Sequence, residues 1–312
     1  MNDFILALSA IAPLFFPMAA GYILKKFKTI DEHTVKGMNK VVFRFFLPLL
    51  LCRNIYQSDI KGVFDQRFMT IGICGVLISA VLFFLFVRCT EKDTRKQGVM
   101  IQGMFRSNFV LFGLPLATSL CGPNEVGATA IMIAVIVPLF NVLSVIALEI
   151  CRGGSPDFKK ICKGIITNPL ILSSLLGMII LLSKLPVPTL IDYAIKSMSS
   201  VATPLALFLL GASFHFSGSK NSLKQLITVL MAKLIILPIV MLTIGFALGF
   251  RGIFIITFLA MYASPTAVSS FVMAQEMDGD TELASQIVVW SSTAALFTIF
   301  FFLMLLKRLG GF

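Results

Sequence analysis

Charge is scarce in this chain, and negative charge is scarcest. Only 13% of the 312 residues are charged, with 15 acids against 26 Lys and Arg. Histidine occurs twice, at His33 and His215, near loops and without metal-ligand spacing. The six cysteines (52, 74, 89, 121, 151 and 162) are scattered, with no CxxC and no paired framework. They give no metal or disulfide signal and read as small apolar packing residues. An enzyme within the membrane would need a nucleophile with a base, paired acids or a metal constellation, and these residues supply none. No stretch has the composition of a separate soluble domain, so the output domain of a membrane sensor is not expected. No Asp or Glu lies deep in any apolar run, which removes the usual carboxylate proton relay. No cofactor is expected.

What the chain has instead is apolar length. It is 57% hydrophobic, with a mean hydropathy of +0.94, well outside the range of soluble domains. Ten apolar runs lie at roughly 4–24, 38–56, 68–88, 97–120, 126–150, 162–183, 190–213, 224–249, 252–275 and 284–306. Each is near the ~20 residues a helix needs to cross ~30 Å of hydrocarbon. The expected fold is an all-α membrane protein of ten transmembrane helices, here called spans 1 to 10.

The N-terminus, MNDFILALSA, has an acid and no basic n-region, so span 1 is expected to be retained. A net charge of +11 invites a nucleic-acid reading, but its placement argues for lipid. With the N-terminus outside, the cytoplasmic loops carry 15 Lys and Arg against seven outside. The positive-inside bias therefore places both termini outside the cytoplasmic (inner) membrane. The acidic loop EMDGDTE runs against this bias.

The length divides into halves, 1–156 and 157–312, and an offset of 156 aligns like features. Pro13 falls on Pro169, Gly21 on Gly177, Pro48 on Pro204, and Ile131 on Ile287. Five spans per half force the second half to enter the membrane in the opposite sense. That is an inverted-topology repeat, the plan of many secondary transporters.

At the same offset Asn108 falls on Ser264, and both lie in spans that carry a deep proline. Pro115 removes a backbone donor and crowds Leu111, while Gly113 adds backbone freedom, so a break in span 4 is expected there. In span 9, Ser264 suits an N-cap and Pro265 the first helical position. The two half-helix N-termini would meet near the bilayer middle and favour an anion. Tyr262 and Thr266 flank the span 9 break and join the candidate substrate site. Arg106 lies about nine residues, or roughly 13 Å, from the cytoplasmic end. A charge at that depth needs a partner. A substrate carboxylate is one reading, with Asn108 adding hydrogen bonds; capping of carbonyls freed by the break is the other. Lys233 in span 8 either lines the same cavity or reaches the headgroups. Arg44 and Lys40 read as snorkelling, Asp192 and Lys196 as a helical i,i+4 pair, and Asn141 with Pro138 as packing.

In chain order, the segments SNFVLFGLPLA, NPLIL, TPLALFLLGASF and SPTAVSSFVMAQEM with LASQIVV are similar to segments of the auxin efflux carrier family. The chain resembles its bacterial-type members over essentially its whole length. The resemblance implies export or exchange of organic anions and substrate binding where broken spans 4 and 9 cross. It also implies an elevator-like movement and a homodimer through a scaffold of spans 1, 2, 6 and 7. Residue by residue, Asn108 takes the crossover asparagine, Gly113 and Pro115 the span 4 break, and Pro265 the span 9 break. The long cytoplasmic loop of many plant members is replaced by the short CRGGSPDFKK. Neither regulation through such a loop nor auxin itself is therefore expected.

Overall fold

Several of the few acids sit where helices begin. Asp31, Asp65, Asp93 and Asp280 are N-caps whose carboxylates accept from the N–H groups of Thr34, Phe68, Arg95 and Leu283, at 2.7 to 3.0 Å. Each pairs a backbone donor that the helix itself leaves unsatisfied. Asn168 does the same for Leu170, with Pro169 in the first turn of the next helix. Gln66–Thr90 and Thr281–Arg308, opened by such caps, run for 25 and 28 residues, and Gly127–Cys151, without a side-chain cap, for 25. Twenty-five residues span about 37 Å, enough to cross a bilayer.

The computed structural model describes residues 15–57, 65–122, 126–152, 158–214 and 222–312, without the side chains of residues 114, 115 and 158–161. The expectations on Pro13, on the start of span 1, on His215 and on most of CRGGSPDFKK lie outside these residues. Every regular element among the described residues is helical, and helix occupies most of the described part of each apolar run. Among the described residues five helices are long and apolar enough to cross a membrane, and Pro169–Ser183 and Ile253–Ala263 are shorter apolar ones.

Two helices contain a π turn, Val42–Phe46 in span 2 and Ala232–Ile236 in span 8, each two residues before a proline (Pro48 and Pro238). A proline leaves an upstream carbonyl without its donor, and the wider turn accommodates the ring. Pro204 follows a one-residue interruption at Val201, between Thr189–Ser200 and Ala202–Ser213.

The two interrupted spans form the centre. Every residue from Gln97 to Phe105, and from Ile255 to Ala263, is buried, as expected of helices surrounded on all sides. Spans 1 and 7 cross at glycines: a Cβ at Gly21 would meet the Phe208 carbonyl oxygen at 1.9 Å, and one at Gly211 that of Met18 at 1.9 Å. Span 6 also lies close on span 2, where a Cβ at Gly177 would come within 2.7 Å of the Cys52 carbonyl oxygen. The opposite side of span 6 exposes Leu172, Leu175, Leu176, Ile179 and Leu182, one apolar stripe.

Three expectations change. Asp192 pairs across the bundle, not with Lys196: it accepts from Tyr56 at 2.7 Å and Gln57 at 2.8 Å, and lies 3.4 Å from Arg53. Span 2 brings a closer set of donors than the helix's own next turn. Of the six free cysteines only Cys52 and Cys151 are buried, and Cys74 and Cys89 are exposed, where a weakly polar thiol suits an apolar environment. The acidic loop sits with basic residues: Asp278 accepts from Arg152 at 2.8 Å, and its carbonyl from Arg95 at 3.1 Å.

Candidate functional site

The break in span 4 lies at residues 106–108, between half-helices Thr94–Phe105 and Phe109–Cys121. This corrects the placement at Gly113 and Pro115, through which the second half-helix runs unbroken. Gly113 serves packing instead, since a Cβ there would touch Ile133 and the Phe109 ring at 3.0 Å. In span 9 the first half-helix, Ile253–Ala263, ends where expected, and Ser269–Glu276 follows. Ser264 is not an N-cap: its hydroxyl turns back to the Ala260 carbonyl, and the new helix starts five residues later.

The two breaks hold each other open. Asn108 N–H donates to the Pro265 carbonyl at 2.8 Å, and the Thr266 hydroxyl donates to the Gly103 carbonyl at 3.0 Å. Ser107 donates to the Met261 carbonyl, while the Thr266 N–H reaches the Ser291 hydroxyl at 3.2 Å. A break in apolar surroundings survives only where its freed backbone groups find partners. At 106–108 span 9 provides them.

Beside the crossing lies a cavity of about 170 Å³. That is below the ~300–1,000 Å³ of drug-sized pockets and equals roughly five or six liquid waters at ~30 Å³ each. One wall is residues Arg106 to Leu111, a second is Ala267 to Ser269, and a third is Val137, Phe140 and Asn141 of span 5. Span 2 closes it with Leu47, Leu50, Leu51 and Asn54, and span 7 with Thr203 and Ala206. The N-termini of both second half-helices therefore border one space; in span 9 the Ser270 and Phe271 N–H groups are taken by the Ala267 and Val268 carbonyls, and the positive dipole end remains.

Arg106 is 4% exposed and lines this cavity. Its guanidinium donates to Asn141 Oδ1 at 2.6 Å, to Ser269 Oγ at 2.7 Å, and to the Met273 sulfur. All three partners are neutral, and among the described residues no carboxylate pairs with it. The amide nitrogens of Asn108 and Asn141 are buried and have no hydrogen-bond partner. Since Asn141 Oδ1 faces the guanidinium, its NH2 group must point elsewhere. A positive charge and two helix N-termini border one small space, and beside it two buried amide nitrogens lack partners. That arrangement suits an anion.

Of the expected site residues, Arg106 and Asn108 line the cavity. Ser264, Pro265 and Thr266 belong to the crossing itself, and Tyr262 points away, its hydroxyl donating to the Gly72 carbonyl at 3.1 Å. The Pro115 side chain lies outside the described residues. Arg106 does not cap carbonyls freed by the break. Lys233 neither lines the cavity nor reaches the headgroups: it is fully buried behind the crossing, bonded to Ser107 Oγ and, at 3.3 Å, to the Tyr262 carbonyl. Asn141 and Ser269 complete the cavity and were not singled out as site residues. An asparagine at mid-span beside Pro138 was the available signal.

The chain matches the family described as "Membrane transport protein" over residues 6–157 and 156–303. It is 26% identical to an "Uncharacterized transporter" of Methanothermobacter thermautotrophicus (strain Delta H), covering 89% of this chain and 91% of that protein. It is 22% identical to the "Uncharacterized transporter YfdV" of Escherichia coli K12, covering 91% and 94%. A protein of Rhizobium meliloti named "Putative malonate transporter" is also 22% identical, over 93% and 92%. The chain belongs to this membrane transport protein family, that of the auxin efflux carriers, and is a multi-pass membrane transporter.

Proposed function

We propose that the protein is a secondary carrier of small organic anions, mono- or dicarboxylates such as malate or malonate, working by efflux or exchange. One observation carries this reading: Arg106 faces the crossover cavity with neutral partners only, beside the unpartnered amide nitrogens of Asn108 and Asn141. The missing negative charge is the substrate carboxylate. A relative named for malonate transport supports the substrate class, and the small cavity favours ligands of a few heavy atoms.

In this reading the chain forms ten spans as two inverted repeats, 1–156 and 157–312, with spans 4 and 9 crossing near the bilayer midplane. The cavity has spans 2 and 7 on one side and spans 4, 5 and 9 on the other, the boundary at which an elevator-like unit would slide past its scaffold. The exposed apolar stripe of span 6, with Leu190 and Tyr193 at the start of span 7, suits lipid or a second copy in a homodimer through spans 1, 2, 6 and 7. Both termini lie outside the cytoplasmic membrane. The contacts of Asp278 with Arg95 and Arg152 reconcile its acidic loop with the basic cytoplasmic side. With no deep carboxylate relay, the membrane potential acting on the anion is the candidate driving force.

Counterflow in proteoliposomes, with a panel of labelled mono- and dicarboxylates, tests the reading. Saturable exchange of at least one is expected, and no saturable flux across the panel would overturn it. Asn141→Asp is a sharper probe. It places a carboxylate 2.6 Å from the guanidinium in a nearly isosteric side chain. That variant is expected to melt no lower than wild type yet lose saturable flux, because Arg106 now has a resident counter-charge. Wild-type flux in it would remove Arg106 as the anion's partner.

A further inference from the structure

Half-helix Ile253–Ala263 ends inside the protein, and its last carbonyls need donors. Three are found from three directions. Ser264 Oγ takes the Ala260 carbonyl, Ser107 Oγ takes that of Met261, and Lys233 Nζ takes that of Tyr262 at 3.3 Å. Lys233 also donates to Ser107 Oγ, which thereby accepts from the lysine while donating to Met261. Lys233 is 0% exposed, and among the described residues no carboxylate pairs with it. It projects from the π turn Ala232–Ile236, an irregularity that often marks a functional position.

A hydrogen-bond cap alone does not need a charge, and a buried charge is costly without a counter-charge. What faces this ammonium is the carbonyl end of a helix, which carries partial negative charge. Oxygen atoms, here the Ser107 hydroxyl and the Tyr262 carbonyl, are also the ligands that hard cations take. We infer that the Lys233 ammonium is a built-in cation at the span 9 break, holding the position that a bound monovalent cation would otherwise occupy. Lys233 is thus a positioning residue: it fixes Ser107 and the end of the half-helix, and through them the crossing beside Arg106. The fold of this carrier then requires no bound alkali ion at the crossing. This inference stands apart from the identity of the substrate.

Thermal unfolding of the purified full-length protein tests it without any substrate. In choline chloride at fixed ionic strength, Lys233→Ala is expected to melt below wild type. Replacing choline by sodium, lithium or methylammonium should raise the variant's midpoint by about 2–4 °C or more for at least one of them, as binding to the vacated site stabilises the folded state. Wild type should stay within about 1 °C across the same series. A variant that ignores all three cations would overturn the inference. Lys233→Gln keeps a donor without the charge and decides the matter if the alanine variant does not accumulate. Gln is expected to melt below wild type, and a glutamine variant as stable as wild type in choline would reduce Lys233 to a neutral cap.

Discussion

Arg106→Ala is expected to lower carboxylate affinity by at least about 30-fold, with little loss of fold. Removing one partner of a buried, hydrogen-bonded charge pair costs about 2–5 kcal/mol, and the lower bound alone is about 30-fold. The fold is spared because the guanidinium's partners, Asn141 Oδ1 and Ser269 Oγ, border the cavity, where water can replace it. Arg106→Lys keeps the charge but not the planar fork, so its loss should be smaller. Titration of the purified protein with the best substrate from the counterflow panel, alongside its melting curve, separates the two effects. Unchanged affinity in a well-folded alanine variant would refute the anion role, and joint loss of affinity and folding would make Arg106 structural.

The second large effect is on stability. Gly211→Val should all but prevent accumulation of the folded protein, because its Cβ would sit 1.9 Å from the Met18 carbonyl oxygen. Overpacking against side chains costs about 1–3 kcal/mol after repacking. Here the obstacle is backbone, which no rotamer change relieves, and the cost should exceed that range. Gly21 makes the reciprocal contact with Phe208, so spans 1 and 7 have no slack from either side. Gly37→Ala is the control. It lies inside Glu32–Val41 with nothing within 4 Å of its added Cβ, and should be neutral or stabilise by about 0.5–1 kcal/mol. Membrane yield and melting of the three proteins decide it. Normal yield of Gly211→Val would mean that spans 1 and 7 do not meet as closely as this.

How far the site could be read in advance differs by residue. Arg106 was legible because a charge deep in an apolar run needs a reason whatever surrounds it. The existence of two breaks was legible from Pro115 and Pro265, but the first was misplaced. A proline inside a helix forfeits one hydrogen bond, whereas a true break exposes several backbone groups. Breaks therefore fall where partners are available. At Arg106 to Asn108 the Asn108 N–H finds the Pro265 carbonyl, and the Ser107 hydroxyl in turn serves the Met261 carbonyl, both more than 150 residues away in the chain. The same distance hid the role of Asn141. Mid-helix asparagine is consistent with packing until the guanidinium is seen 2.6 Å from its oxygen.

By itself the sequence determined a helical membrane protein, its apolar runs, two interrupted spans, and a buried positive charge in span 4. Hydrophobic length and a proline's disruption of a helix are local properties, set by neighbours within a few turns. The tertiary structure alone decided that Arg106 meets Asn141 and Ser269, that Lys233 closes the end of a broken helix, and that Asp192 answers Arg53 and not Lys196. These pairings join residues 35, 163, 29 and 139 positions apart. In a protein that seldom places polar groups within its spans, where each one points depends on which other helix brings a partner, and only packing chooses that helix.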